Sequence, residues 1–164
     1  MSDRLSTSLP DLVLRTLDAA RSATLERQLV HPDERSGWAD LCRTRAEQPD
    51  STRAWAIELR GSPIGAVALL ALQPGFAEIG FLVGGPHRGH GHARRGVAAL
   101  ASHAFGRLGV HRLAAATPAS NPAAARVLEG AAFHLEGLMR GACFDGMSWR
   151  DSLLYARLST DGGP

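Results

Sequence analysis

Apolar and polar positions divide the chain into short elements with turn signals between them. Residues 55–59 alternate as a strand, Gly61-Ser62-Pro63 turns the chain, and residues 64–72 form a second strand. Gln73-Pro74-Gly75 turns it again, and residues 76–83 complete a meander. Upstream, residues 12–17 read as a short strand, and Asp18 caps a helix to about residue 30, with Ala19, Leu25 and Leu29 apolar. Residues 31–52 are polar and carry Pro32, Gly37 and Pro49, which predicts loops around a short helix near residues 38–45. Downstream, Val97, Leu100, Ala101, Ala104, Phe105 and Leu108 recur at helical spacing, a helix over about 94–108 that Gly109 ends.

Residues 111–117 are the next strand. A helix joins them to residues 76–83, so the two strands can run parallel. Asn121 caps another helix with Pro122 at its first position, and Ala124, Val127, Leu128 and Ala131 mark its buried face. Residues 133–144 and 147–158 close the chain as a hairpin around Asp145-Gly146, followed by a frayed tail. Neither a repeat nor a linker divides the sequence. It reads as one mixed α/β domain over residues 1–164, with an ordered core of about 10–158.

Composition narrows the functions open to such a domain. Apolar residues make up 45%, enough for a core, and the net charge is only +2. Basic residues form no block and do not interleave with aromatics, so a nucleic-acid surface has little support. All 18 basic residues are Arg, which together with the many Ala and Gly reads as codon bias of a GC-rich genome. The longest apolar run, residues 64–72, is too short to span a membrane, and residues 1–10 have no signal-peptide core. Cys42 and Cys143 lack a C-x-x-C spacing. A reduced, cytoplasmic, bacterial protein is the expectation.

The chemistry concentrates in Arg88-Gly89-His90-Gly91-His92-Ala93-Arg94-Arg95, between a strand and a helix. Glycines there let backbone N–H groups approach an anion, and the helix dipole favours negative charge. A dinucleotide fingerprint starting at Gly89 would need glycine where Arg94 stands, and no acidic residue follows about 20 positions on. His87, His90 and His92 invite a metal reading. The loop holds no carboxylate, and exposed loop histidines with no metal are the expectation.

Arg88, Gly91 and Ala93 satisfy Arg-x-x-Gly-x-Ala, and Asn121-Pro122-Ala123-Ala124-Ala125-Arg126-Val127-Leu128-Glu129 with Phe133 follows at a matching distance. On these residues, and on Glu136-Gly137-Leu138-Met139-Arg140, Trp149-Arg150-Asp151 and Leu154-Tyr155, the chain resembles a GCN5-related N-acetyltransferase. The likeness is to the branch that acetylates ribosomal-protein N-termini. It implies an α+β domain with a mixed, mostly antiparallel sheet, flanking helices and one parallel strand pair that splays at the cofactor. It also implies acetyl-coenzyme A as cosubstrate. Backbone groups of Gly89, His90, Gly91, His92, Ala93 and Arg94 would take the pyrophosphate, with Arg88, Arg94 and Arg95 as nearby charges. Phe81, Leu82 and Val83 would pair with the pantetheine arm, and Asn121 would reach the pantetheine or its sulfur end.

The resemblance implies direct acetyl transfer to a primary amine, either a protein N-terminus or a small molecule. Glu78 is the candidate base. Alternation puts it with Gly80 and Leu82 on one strand face and Ala77, Ile79, Phe81 and Val83 on the other. A carboxylate in an otherwise apolar strand would have its proton affinity raised by burial, which suits base work. The Val83 N–H is the expected donor to the thioester oxygen. The acid for the sulfur stays open: relatives carry Tyr at Leu128 or Ser at Ala124, and Ser120 and Tyr155 are the remaining hydroxyl candidates. Gly130 stands where relatives have a basic residue, and Ala132 where they have Gly. Cys143 reads as a packed strand cysteine, and Trp38, Trp55 and Trp149 as core residues. A coenzyme A-binding sensor or partner module without catalysis is the alternative, and exposed strands admit a homodimer.

Overall fold

The computed structural model describes residues 4–7, 11–29, 32–144 and 146–162. Among these, eight strands form one sheet: β1 (Arg4–Ser6), β2 (Leu12–Thr16), β3 (Arg53–Leu59), β4 (Ser62–Gln73), β5 (Phe76–Val83), β6 (Arg112–Pro118), β7 (His134–Phe144) and β8 (Trp149–Leu158). Their spatial order is β1-β2-β3-β4-β5-β6-β8-β7. Every neighbouring pair is antiparallel except β5 with β6. The mixed, mostly antiparallel α+β architecture is therefore as expected.

Helices α1 (Ala19–Gln28) and α2 (Pro32–Glu47) cover one face of the sheet, and α3 (His92–Arg107) and α4 (Pro122–Gly130) the other. On the first face the strands offer Ala54, Ala56, Ala66 and Ala68, a shallow surface against which Leu25, Leu29 and Trp38 pack. On the second face Ile57, Val67, Leu69, Ile79, Leu113 and Tyr155 meet Val97, Leu100, Ala101 and Ala104 of α3 and Leu128 of α4. Gly96 lets α3 lie close to the sheet, since a Cβ there would stand 2.9 Å from Ile57 Cδ1.

Several boundaries move. Helix α2 spans 16 residues, where a short helix near 38–45 inside loops was expected. Its sequence hides it because Trp38 is its one buried residue among those whose burial is described, and Leu41 is half-buried. The first hairpin turns at Arg60 and Gly61, with φ of 51° and 82°, and Ser62 and Pro63 already belong to β4. A two-residue turn of this kind needs positive φ at both centres, which proline cannot adopt. Helix α3 starts two residues earlier than expected, and β1 was not foreseen. Asp145, at the expected tip of the closing hairpin, and residue 30 lie outside the described residues.

Candidate active site

Strands β5 and β6 pair only at Phe76↔Arg112, Ala77↔Leu113 and Glu78↔Ala114. Beyond that, β5 continues to Val83 against β4, and β6 continues to Pro118 against β8. The two strands diverge, and the stretch from Ile79 to Val83 has no partner on the β6 side. The parallel pair thus splays where the sequence places the ligand strand. Unpaired N–H and C=O groups at this depth call for a hydrogen-bonding partner.

The far end of β5 is held tightly. Ile64 is an extra residue in β4, between the pairs Ile57↔Gly65 and Glu58↔Pro63. A Cβ on the next residue, Gly65, would lie 2.4 Å from the Leu82 carbonyl oxygen, so only glycine lets β4 run this close to β5. The Gly84 N–H donates to the Ile64 carbonyl at 3.0 Å, and a 3-10 turn over Gly85–His87 leads into the loop.

Gly89 and Gly91 both adopt left-handed backbone, φ 79° and 74°, which confirms the need for glycine at these positions. Gly91 is the N-cap of α3, no side chain caps that terminus, and its first turn has no acidic residue. The arginines brace the loop. Arg88 Nε donates to the Val83 carbonyl at 3.0 Å, and Arg95 Nη1 donates to the His90 carbonyl at 2.9 Å. The Arg94 stem lies against α4, where a Cβ on Gly130 would come within 2.7 Å of Arg94 Cδ. The missing side chain at Gly130 makes room for Arg94. His90 and His92 stack at 5.7 Å between ring centroids. Burial, reinforced by the charges of His90, Arg95 and His87, lowers the proton affinity of His92, whose Nδ1 is buried with no hydrogen-bond partner among the described residues. An uncapped helix start with Arg88, Arg94 and Arg95 in and beside its loop could hold an anion.

Phe81 and Leu82 are half-buried and Val83 is buried, while Arg88, Gly89, His90, Gly91 and Arg94 are exposed and His92 and Ala93 half-buried. Asn121 caps α4, its Oδ1 accepting the Ala124 N–H at 3.1 Å, and its own N–H donates to the Pro118 carbonyl at the end of β6. Glu78 sits at the last rung of the parallel pair, opposite Ala114, and is exposed. The burial expected to act on its carboxyl is therefore absent. Among the described residues the buried carboxylate is Glu58, 5% exposed and held by Arg21 Nε at 2.7 Å and Arg15 Nε at 3.1 Å. Strand alternation fails to distinguish the two because it takes α1, carrying Arg21, to cover Glu58.

Leu128 is fully buried in the apolar core, and Tyr155 donates its hydroxyl to Glu129 Oε1 at 3.0 Å. Burial, with Glu129 beside it, pushes the Tyr155 hydroxyl up. Trp38 and Trp55 are core residues as expected. Cys143 and Trp149 are exposed on the closing hairpin, contrary to expectation, because no element among the described residues covers that end of β7 and β8. Two residues that the sequence did not single out stand at the splay: Gly65 and Thr117. The signal for Gly65 was a lone glycine inside a strand pattern. For Thr117 it was a polar residue in register with Leu113 and Ala115.

A family model described as an acetyltransferase (GNAT) domain matches residues 8–134. The probable N-acetyltransferase YjcK of Bacillus subtilis (strain 168) is 35% identical over 103 residues, 60% of this chain. That match spans 56% of YjcK, little more than half its length. RimL, the ribosomal L7/L12 alpha-N-protein acetyltransferase, solved in complex with coenzyme A, has a TM-score of 0.79 at 21% identity, covering 96% of this chain and 99% of that one. Mycobacterium smegmatis RimJ in complex with CoA-disulfide has a TM-score of 0.81 at 22% identity, covering 98% and 88%. These two likenesses establish the shared fold. The family model runs through the splayed strands and the glycine loop alike, and the chain belongs to the acetyltransferase (GNAT) family.

Proposed function

We propose that this protein is an acetyl-coenzyme A-dependent N-acetyltransferase acting on a primary amine. The observation that carries the reading is the divergence of β5 from β6 after Glu78 and Ala114, directly followed by the uncapped start of α3. The pantetheine arm would run along the flank of Phe81, Leu82 and Val83 that β6 leaves open. The N–H groups from Gly89 to Arg94 suit the pyrophosphate, and Asn121 stands across the gap. RimL and RimJ, which share the fold, are described with coenzyme A or its disulfide, which supports the same ligand here.

Glu78, on the α1 and α2 face of β5, takes the amine proton directly or through water. The amine nitrogen then attacks the thioester carbon, and the Val83 N–H donates to the oxygen as it gains charge. The acceptor is a protein N-terminus or a small amine, in the cytoplasm of a bacterium. A homodimer is part of the proposal: Leu135, Leu138, Phe144, Met147 and Trp149 are large apolar side chains left exposed on the closing hairpin. A monomer in light scattering would remove that part.

Leu128 in the core and Tyr155 engaged with Glu129 favour one second reading, a coenzyme A-binding module without turnover. Thiol release from acetyl-coenzyme A in the presence of peptides with free N-termini, polyamines and aminoglycosides separates the two. Release with at least one amine supports the enzyme. Coenzyme A binding without release from any amine supports the module.

A further inference from the structure

We infer that Thr117 supplies the hydroxyl that donates to the sulfur of coenzyme A during acetyl transfer, an inference that rests on the function proposed above. In the parallel pair, Glu78 stands opposite Ala114. Three residues further along each strand, Phe81 and Thr117 occupy opposite lips of the gap. Thr117 shares the strand face of Leu113 and Ala115, the face covered by α3 and α4. Its backbone is fixed from the other side by β8, where it stands opposite Leu153.

Thr117 is 5% exposed. Its hydroxyl has no hydrogen-bond partner among the described residues, yet it is not among the polar atoms sealed from solvent. The small surface that Thr117 retains therefore includes this oxygen. Reached by solvent and holding no partner among the described residues, this hydroxyl is free to donate to a ligand.

The two lips consist of Ile79, Gly80, Phe81, Leu82 and Val83 on β5 and Ala115, Ala116, Thr117 and Pro118 on β6. Thr117 carries the one side-chain hydroxyl among them. The other candidates fail on placement. Leu128 and Ala124 have no hydroxyl, Tyr155 is committed to Glu129, and Ser120 is exposed in the turn before α4. Ser152 is buried, but on β8, in register with Pro118 and on the opposite sheet face from Tyr155.

The amine nitrogen forms the new N–C bond and loses its proton to Glu78 or water. The C–S bond breaks and its electron pair goes to sulfur. Thr117 donates a hydrogen bond to the nascent thiolate and keeps its own proton, because an alcohol is far less acidic than a thiol of pKa ~8.5. The thiolate is protonated later by water. A donor aimed at the charge that develops in the reaction stabilises the transition state more than the ground state.

The direct test titrates the thiol of coenzyme A bound to the protein, followed by the ultraviolet absorbance of the thiolate. Wild type, Thr117→Val and Thr117→Ser are each saturated with coenzyme A. The bound thiol is expected to titrate about one pH unit lower in wild type and Thr117→Ser than in Thr117→Val, a tenfold difference in thiolate stability. Turnover with an active amine falls about tenfold in Thr117→Val and is restored in Thr117→Ser, while KM for acetyl-coenzyme A stays within about twofold. Thr117→Ala gives the same comparison if valine disturbs packing. An equal thiol titration in wild type and both hydroxyl-free variants overturns the inference and leaves the proposed function standing. Failure of wild type to bind coenzyme A overturns both.

Discussion

Gly65 on β4 and Leu82 on β5 approach so closely that an alanine Cβ at position 65 would lie 2.4 Å from the Leu82 carbonyl oxygen. This contact, beside the extra residue Ile64, sets where the last residues of β5 run as they part from β6. Gly65→Ala has no flexible neighbour to displace, since the obstacle is backbone. The variant is expected to lose about 1–3 kcal/mol of stability in denaturant unfolding and to bind coenzyme A more weakly. Wild-type stability and affinity would show that β5 is positioned by something else.

Gly91 occupies left-handed backbone at the start of α3. Gly91→Glu adds about 1–2 kcal/mol of backbone strain and places a carboxylate at the proposed pyrophosphate site. Circular dichroism is expected to show a folded protein, and calorimetry a loss of coenzyme A affinity of about 100-fold or more, equivalent to roughly 2.7 kcal/mol. Retained affinity in a folded variant would move the phosphate site away from this loop.

Glu78→Gln keeps the size of the side chain and removes the base. Turnover with an active amine is expected to fall by about 100-fold at neutral pH, with coenzyme A affinity unchanged. Because Glu78 is exposed, the thermal midpoint stays where it is. Full activity in this variant would pass the proton transfer to another group.

Ala132 has φ 62° immediately before buried Phe133, a conformation that favours glycine. Ala132→Gly relieves about 1–2 kcal/mol of strain and costs about 0.4–1 kcal/mol through the freer unfolded chain. A net gain of roughly 0.5–1 kcal/mol in denaturant unfolding is expected from these two terms. A net loss would mean that the surrounding packing already accommodates the alanine without strain.

Asp18 caps α1, its Oδ1 accepting the Arg21 N–H at 2.8 Å. That backbone hydrogen bond, helped by the Arg21 charge and opposed by slight desolvation, holds the Asp18 carboxyl below its ordinary 3.8. A lowered folded-state value stabilises above the unfolded value, and the contribution is lost as pH falls through the folded one. Asp18→Ala is expected to cost about 1 kcal/mol at pH 7, as a lost N-cap does. The difference from wild type should shrink as pH falls below about 4, where the unfolded carboxyl begins to protonate. A difference that stays constant down to pH 2 would show that the cap acts without its charge.

The parts legible in the sequence are those fixed by local chemistry. Gly89 and Gly91 needed positive φ, Asn121-Pro122 is a capping pair, and residues 97–108 carried their burial pattern in their spacing. What stayed hidden depends on contacts distant in sequence. Helix α2 shows little periodicity because, among its residues whose burial is described, it buries little beyond Trp38. Glu58 and Glu78 look alike within their strands, and only the arrival of Arg15 and Arg21 makes Glu58 the buried one. Cys143 and Trp149 alternate like packed residues, yet the hairpin that carries them has no cover there. Thr117 reads as one more strand position until β5 leaves β6 and opens its flank.

The central claim is that the gap between β5 and β6, with the start of α3, holds coenzyme A. Calorimetric titration of the protein with coenzyme A, and separately with pantetheine, tests it most directly. The account predicts one coenzyme A site per chain that weakens as salt is raised, with pantetheine binding at least about 100-fold more weakly for want of the pyrophosphate. No binding of coenzyme A at millimolar concentration, or equal affinity for the two ligands, would contradict it.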